Sequence, residues 1–190
     1  MDRVGGSTLV QFSKNRRRAL RLVAGAAAVL IAAPAVAAPR FAADRRSLAF
    51  HNMHTGESLD LVYWSDGTYQ ADALQQIDRM LRDFRTGEVH PIDPRLLDLL
   101  VNVERRLDSA SPFVVISGYR SPATNAMLRR ENEGVAKSSL HMKGQAIDVR
   151  VPGRALSNLH RVAMSLCGGG VGYYPRSDFV HIDVGRVRYW

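Results

Sequence analysis

The sequence predicts an α+β domain in which a small antiparallel sheet is covered by helices. Two apolar runs, 48–51 and 58–64, flank the turn residues Thr55-Gly56-Glu57 and predict a hairpin. Apolar residues then recur at helical spacing over 71–85 and 94–107. Of the 190 residues 46% are hydrophobic and no internal repeat divides them, so we expect one domain with its own core.

The first 38 residues have the pattern of an export signal. A basic segment with Arg16-Arg17-Arg18 precedes the apolar stretch 22–33, and Ala35-Val36-Ala37 supplies the small residues of a cleavage site. Adjacent arginines before a mild apolar region favour a twin-arginine signal, with an ordinary secretory signal as the alternative. The apolar stretch is too short for a membrane span. We therefore expect a periplasmic or otherwise exported protein without an integral membrane span, in which residues 39–46 form a flexible tether.

The charge of the whole chain is dominated by this signal. Of the formal net charge of +8, residues 1–38 contribute +5 through six basic residues and one acidic residue. The remaining +3 is too small to indicate a nucleic-acid partner, although it suits an anionic polymer such as the peptide-bearing glycan of the cell wall.

Cys167 is the only cysteine, so no intrachain disulfide can form. We expect a monomer.

The elements after the hairpin follow from capping and periodicity. Asp93-Pro94 reads as a helix N-cap followed by proline at the first helical position. The apolar run 112–117 predicts a buried strand that ends in a loop, where side chains can be presented. Further predicted elements are a short helix over 124–130, a helix over 154–166 and strands over 171–174, 179–184 and 187–190. His51, His54 and His160 lack metal-ligand neighbours, which favours surface positions for them.

Two segments carry residues of metal-site chemistry. Ser139 to Asp148 places His141 and Asp148 seven residues apart, and Asp178-Phe-Val-His181-Ile-Asp183 supplies a second imidazole among carboxylates. Catalytic zinc ions are often bound by two histidines and one carboxylate, which leaves the fourth coordination position open for water. Here such a set would come from two separate strands. Histidine and aspartate are also common on strands without a metal, so the spacing alone leaves both interpretations open.

The spacing of these residues resembles the paired signature of the LAS metallopeptidases. The pattern is Ser139-x-His141-x-x-Gly144-x-Ala146-x-Asp148, followed by Asp178-x-x-His181. This group includes D-Ala-D-Ala carboxypeptidases, phage endolysin peptidases and the hedgehog signalling domain. Over nearly the whole mature chain the sequence is more similar to the YcbK-like murein endopeptidases. The resemblance implies a hedgehog/DD-peptidase-like single domain over residues 47–190.

The resemblance also implies roles for individual residues. His141, Asp148 and His181 would hold one zinc ion, and Asp178 stands where the general base of the group sits. Several relatives have the longer glutamate there, so Asp183 is a second candidate. Arg120 would hydrogen-bond the scissile carbonyl, with a loop ion pair as its alternative role.

Two further residues are candidates for substrate binding. Ser139 has no evident base, so we expect it to hydrogen-bond the substrate or the loop rather than act as a nucleophile. Tyr119, like Tyr173 and Tyr174, either lines the cleft or packs in the core.

We therefore expect an exported zinc peptidase that cuts an amide bond in the peptide part of peptidoglycan, most simply a murein crosslink endopeptidase. One alternative is a D-Ala-D-Ala carboxypeptidase, which shares the same motifs. An alternative of another class is a non-catalytic wall-binding module, because the group includes a signalling branch. The sequence leaves the crosslink type, 3-3 or 4-3, open.

Overall fold

A computed structural model describes residues 45–131 and 134–190. The predicted signal, 1–38, and most of the predicted tether lie outside the described residues. Strand β1 begins at Arg45, so the last two residues of the predicted tether belong to a strand. The strands are β1 Arg45–Asn52, β2 Ser58–Ser65, β3 Thr68–Tyr69, β4 Phe113–Ser117, β5 Ala146–Arg150, β6 Gly170–Tyr174, β7 Phe179–Asp183 and β8 Arg188–Tyr189. The helices are α1 Ala71–Met80, α2 Pro94–Leu107, α3 Pro122–Glu131 and α4 Leu156–Ser165.

The strands form one sheet of eight in the order β3-β2-β1-β4-β5-β7-β6-β8. The α+β class is confirmed, whereas the expectation of a small antiparallel sheet is wrong. The pairs β1/β4 and β6/β8 run parallel, and the other neighbours run antiparallel. Parallel neighbours need a crossover connection, and α1 and α2 lie in the chain between β1 and β4. Turn signals between adjacent segments predict hairpins but carry no information on such distant pairings.

The helices pack against the sheet and against each other. Helix α1 contacts β2, α2 contacts β1 and α4, and α4 contacts β6 and β7. As predicted, Asp93 caps α2, because its side chain accepts a hydrogen bond from the Arg95 backbone nitrogen. Fully buried apolar side chains from both layers form the core, among them Leu48, Phe50, Ile77, Leu97, Leu100, Phe113, Ile147 and Ile182. No helix among the described residues is long and apolar enough to cross a membrane.

Helix α1 ends at Met80, five residues before the predicted end at Arg85. The chain leaves the helix because tertiary hydrogen bonds use the following backbone. The Leu81 carbonyl accepts from the Tyr119 nitrogen at 2.7 Å, and the buried Asp83 carboxylate accepts from the nitrogens of Arg85 and Ser121. The apolar periodicity continues to Phe84, so the pattern alone could not reveal this break.

Candidate metal centre

Asp148 and His181 lie directly opposite each other on the antiparallel strands β5 and β7. Directly opposed side chains lie on the same face of a sheet and within reach of each other. The Oδ1 atom of Asp148 is 2.9 Å from Nδ1 of His181, and both residues are buried. The sheet register therefore brings together two residues that are thirty-three positions apart in the chain.

His141 reaches the same point from a 3₁₀ turn, Leu140–Lys143, rather than from a strand as expected. The Ser139 side chain caps this turn by accepting from the His141 nitrogen, and Gly144 ends it with φ +63°. A Cβ at Gly144 would also overlap the Pro91 carbonyl, so glycine is required for both reasons. The Nε2 atom of His141 is 3.2 Å from Nδ1 of His181 and 3.3 Å from Oδ1 of Asp148.

The outer ring nitrogens of both histidines face hydrogen-bond acceptors. Nδ1 of His141 is 2.7 Å from the Gly118 carbonyl, and Nε2 of His181 is 3.0 Å from Oδ2 of Asp183. A carbonyl and a carboxylate only accept, so these nitrogens carry hydrogen, and each neutral ring turns its lone pair inward. Ligand atoms of His141, Asp148 and His181 all lie within 4.8 Å of one another. This donor set fits a metal ion with three protein ligands and an open position.

The charges of the three ligand side chains are set by burial and by close contacts. Although burial opposes the shift, His141 and His181 hold the pKa of Asp148 well below its usual range. Against the effect of burial, the carboxylates of Asp148 and Asp183 raise the pKa of His181 to about 9. Burial lowers the pKa of His141. Binding of a metal ion at this centre would therefore compete with protonation of His181.

Asp183 lies behind His181 and is completely buried. Its Oδ1 accepts from the backbone nitrogens of Gly170 and Gly185 and from Arg188, and its Oδ2 accepts from Arg188 and His181. Although burial opposes the shift, these donors hold the pKa of Asp183 well below its usual range. With both oxygens engaged, the carboxylate is arranged to orient the imidazole of His181 rather than to take a proton from water.

Arg120 lies beside the three ligands, and its role as an oxyanion donor stays a prediction. Its backbone nitrogen donates to the His141 carbonyl, and its Nη2 is 3.7 Å from Oδ2 of Asp148. The side chain is 13% exposed, and its Nε is buried without a hydrogen-bond partner among the described residues. Burial also lowers the pKa of Arg120. The side chain also lines the cleft, where a guanidinium N–H can donate to an oxygen of a bound substrate.

Asp178 occupies a more exposed position than a general base usually has. It lies in the turn between β6 and β7 with φ +54°, and its side chain is 62% exposed. Its Oδ2 accepts from Nη1 of Arg150 at 2.9 Å, and no contact with His141, Asp148 or His181 is found in the described part of the chain. Its neighbours Ser177 and Phe179 line the cleft, which places the Asp178 backbone at the cleft rim.

The two residues predicted to bind substrate differ in their surroundings. Ser139 lines the cleft beside His141, and its hydroxyl caps the 3₁₀ turn. Tyr119 is 8% exposed and its ring stacks on His90 at 4.7 Å, outside the residues that line the cleft. Tyr119 therefore contributes packing in this structure, and its substrate-binding role stays a prediction.

The three ligands open into a cleft of about 1000 Å³. One wall is aromatic: the Trp190 ring lies 5.3 Å from the His181 ring, Trp190 Nε1 donates to the Tyr174 hydroxyl, and Tyr174 stacks on Phe179. His54 is exposed as expected, but its ring lines this cleft, as does Arg85. The motif spacing did not single out Trp190, Arg85 or His54, because they belong to three segments that only the fold brings together.

The fold and the site together define a class: an α+β domain with a three-ligand candidate metal centre at the base of an open cleft. Comparison with known proteins specifies the family. The family model described as peptidoglycan L,D-endopeptidase MepK matches residues 40–190. The chain belongs to this family, which confirms the predicted resemblance to murein endopeptidases.

Individual relatives are similar over nearly their whole length. Peptidoglycan L,D-endopeptidase MepK of Escherichia coli strain K12 is 44% identical over 183 residues, covering 95% of this chain and 99% of the relative. The protein of the same name from Shigella flexneri has the same identity and coverage. The probable peptidoglycan L,D-endopeptidase MepK of Haemophilus influenzae is 41% identical over 178 residues, covering 93% and 96%.

Proposed function

We propose that this chain is a metal-dependent peptidoglycan endopeptidase that hydrolyses an L,D amide bond in a crosslink. The observation that carries the proposal is the convergence of His141, Asp148 and His181 at the base of a cleft, in a chain of this family. The substrate and the L,D bond come from the names of the relatives. The same arrangement argues against a non-catalytic module, because Arg120 lines the cleft beside the three ligands.

We propose one zinc ion as the cofactor, held by Nε2 of His141, Oδ1 of Asp148 and Nδ1 of His181. Two imidazoles and one carboxylate form a set that zinc favours in hydrolases, and manganese, cobalt and iron tolerate the same ligands. When bound, such an ion activates water and polarises the scissile carbonyl. Asp183 holds the imidazole of His181 through Nε2, so that Nδ1 would be left to bind the ion.

Other residues of the chain would bind the reacting groups and move the proton. Arg120 donates to the scissile carbonyl oxygen and stabilises the negative charge that develops there. Asp178 is the proposed base, because both oxygens of Asp183 are engaged. For this step the Asp178 carboxylate must turn from Arg150 toward the cleft, and it then passes the proton to the leaving amine. Ser139 contributes a hydrogen bond to the substrate.

The L,D bond selects between the two crosslinks that the sequence left open. In a 4-3 crosslink the donor is D-alanine, so the bond is of the D,D type. In a 3-3 crosslink the carbonyl belongs to an L-configured centre and the amine to a D-configured one. We therefore propose the 3-3 crosslink as the substrate and place the D-Ala-D-Ala carboxypeptidase second.

We propose that residues 1–38 export the protein to the periplasm as a folded monomer through a twin-arginine signal. A wall substrate requires export, and the Escherichia coli relative matches 95% of this chain. Replacing Arg16 and Arg17 with lysine should retain the protein in the cytoplasm. An ordinary secretory signal would tolerate that change, because it needs only positive charge.

The proposed function is tested by incubating the purified protein with peptidoglycan, with and without a chelator, and separating the muropeptides. We expect the 3-3 crosslinked dimers to be cleaved. The chelator should stop this cleavage, and added zinc should restore it. Loss of 4-3 dimers alone would contradict the L,D assignment, and release of terminal D-alanine alone would favour the carboxypeptidase. If the zinc-bound protein left the muropeptides unchanged, the remaining interpretation would be the non-catalytic wall-binding module.

A further inference from the structure

Arg85 presents an exposed guanidinium to the cleft that contains the candidate metal centre. No ion pair of Arg85 is found among the described residues. Other arginines do pair with carboxylates there, namely Arg46, Arg82, Arg95, Arg150 and Arg188. Arg85 is therefore a cation on a cleft wall whose hydrogen-bonding capacity is available to a ligand.

Stacked rings hold this guanidinium in place. The guanidinium carbon of Arg85 lies 4.2 Å from the centre of the Phe84 ring, and Phe84 stacks on His54 at 3.8 Å with an interplanar angle of 10°. His54 is anchored in turn, because its Nε2 donates to the Ile116 carbonyl on β4 at 3.1 Å. The stack connects Arg85 to the central sheet and reduces the side-chain entropy lost when a ligand binds.

A single buried carboxylate connects the segment of Arg85 with that of Arg120. Oδ1 of Asp83 accepts from the Arg85 backbone nitrogen at 3.0 Å, and Oδ2 accepts from the nitrogen of Ser121, the residue after Arg120, at 2.9 Å. Asp83 is 2% exposed. The backbone segments of the two arginines are therefore held together beside one cleft, although thirty-five positions separate the arginines in the sequence.

Arg85 and Arg120 bring two positive charges to the same cleft. An anionic group bound between them would be attracted by both charges. The stem peptides of peptidoglycan carry free carboxylates beside their amide bonds and so supply such a group.

We propose that Arg85 is a specificity residue that binds a free carboxylate of the stem peptide next to the scissile bond. The proposal rests on the proposed function and identifies the feature of the substrate that the cleft recognises. Arg120 donates to the carbonyl oxygen of the scissile bond, whereas Arg85 binds a carboxylate that takes no part in the reaction. Its loss should therefore weaken substrate binding and leave the chemical step nearly intact.

The test compares two substrates, a 3-3 crosslinked muropeptide dimer with free carboxylates and the same dimer with those carboxylates converted to carboxamides. On the free dimer, Arg85→Gln should raise KM about 10- to 100-fold with kcat within about threefold, the range expected for a charge-assisted hydrogen bond. On the carboxamide dimer, the wild-type protein should show a similar rise, and Arg85→Gln should add little to it. Arg85→Lys should restore part of the affinity, because it keeps the charge but not the planar fork.

Arg79→Gln is the matched control, since Arg79 is an exposed arginine at the end of α1 that does not line this cleft. It should behave as wild type on both dimers, and equal melting temperatures confirm that every variant is folded. Equal losses for Arg85→Gln on both dimers, or none on either, would overturn carboxylate recognition while the proposed function stands.

A binding measurement separates this proposal from the proposed function. The affinity for an uncleavable disaccharide-tripeptide is measured by calorimetry for the wild type and for Arg85→Gln. If the wild type cleaves neither dimer, the proposed function fails, yet affinity that depends on Arg85 would still support the carboxylate site. An affinity that is absent, or unchanged by Arg85→Gln, would overturn the carboxylate site as well.

Discussion

Three aspartates near His181 show how surroundings give one residue type different capacities. Asp148 opposes His181 across β5 and β7 and points one oxygen at both histidines. Asp183 has both oxygens occupied by hydrogen-bond donors, and Asp178 is exposed beside Arg150. The number of free lone pairs on each carboxylate therefore determines the role that we propose for it. Asp148 is a metal ligand, Asp183 orients His181 and Asp178 is the general base.

Alanine variants of the two latter aspartates should separate these roles. Asp178→Ala should keep zinc affinity within about threefold and lower kcat about 100-fold or more, the usual contribution of a general base. Asp183→Ala should weaken zinc binding about 10- to 100-fold, as expected for the partner of a ligand histidine. Zinc titration of the apoprotein and steady-state rates on muropeptides measure both effects. An active Asp178→Ala protein would show that another group takes the proton.

Asp83 should make the stability of the protein depend on pH in the acid range. Burial opposes the shift, yet hydrogen bonds from Thr124, Ser121 and Arg85 lower the pKa of Asp83 to about 2. Because the folded pKa lies below the unfolded value of about 3.9, this group stabilises the fold above about pH 4 and loses that contribution as the pH falls toward 2. The full contribution is about 2.6 kcal/mol.

Denaturant unfolding of the wild type and of Asp83→Asn between pH 2 and 6 measures this dependence. We expect the wild type to be more stable at pH 6, and the difference to shrink by about 2 kcal/mol as the pH approaches 2. A difference that is the same at every pH would mean that Asp83 contributes through neutral hydrogen bonds alone.

At the scale of elements, the site depends on irregular segments that the sheet and α1 hold in place. The loop after β4 is attached to the end of α1 through the hydrogen bond from Tyr119 to Leu81, and to the 3₁₀ turn through the bond from Arg120 to His141. The Gly118 carbonyl orients the His141 ring. The loop after β4 therefore has two tasks: it places Arg120 beside the centre and it orients the ligand His141. It can do both only if it lies close to the end of α1.

Gly118→Ala tests this close approach. A Cβ at position 118 would overlap the Leu81 carbonyl, which belongs to the backbone and cannot rotate away. We expect a loss of about 1 to 3 kcal/mol in the free energy of unfolding and a weaker affinity for zinc, because the loop must shift away from His141. Gly153→Ala is the control: it has φ +75° and an open Cβ position, so it should cost about 1 kcal/mol and leave zinc binding unchanged. Equal zinc affinity in both variants would contradict this role of Gly118.

At the scale of the whole molecule, the candidate metal centre connects separate parts of the sheet and its loops. Its ligands come from β5, β7 and the 3₁₀ turn, and the loop after β4 contacts it through Gly118 and Arg120. The centre is a buried cluster of charged and polar groups. An ion that binds the folded chain and not the unfolded one therefore stabilises the whole domain.

Metal removal should consequently lower the melting temperature. Zinc at about 100 times its Kd contributes about 2.7 kcal/mol, which corresponds to roughly 5 to 10 °C for a domain of this size. Calorimetry of the protein before and after chelation measures the shift. His181→Ala should melt at the same temperature with and without zinc, whereas His51→Ala, a change at a histidine that contacts Ser58 outside the cleft, should keep the full shift. A zinc-dependent shift in His181→Ala would mean that the ion binds elsewhere.

The sequence by itself determined the elements that depend on neighbours in the chain. Capping by Asp93, the apolar periodicity of α2 and the hairpin of β1 and β2 are local, and the structure confirms them. The motifs around His141, Asp148 and His181 also named the ligand candidates and the family. These features can be predicted from the sequence because periodicity, turn residues and motif spacing all depend on residues that are close together in the chain.

Only the tertiary structure decided what depends on distant pairing. The parallel pairing of β1 with β4 widened the sheet beyond the predicted antiparallel one, and contacts to Leu81 and Asp83 ended α1 early. The positions of Asp183 behind His181 and of Arg85 on the cleft wall also follow from packing. The physical reason is the same in each case. A buried donor, acceptor or charge takes its partner from whichever segment the fold brings within about 3 Å, and spacing along the chain does not encode that choice.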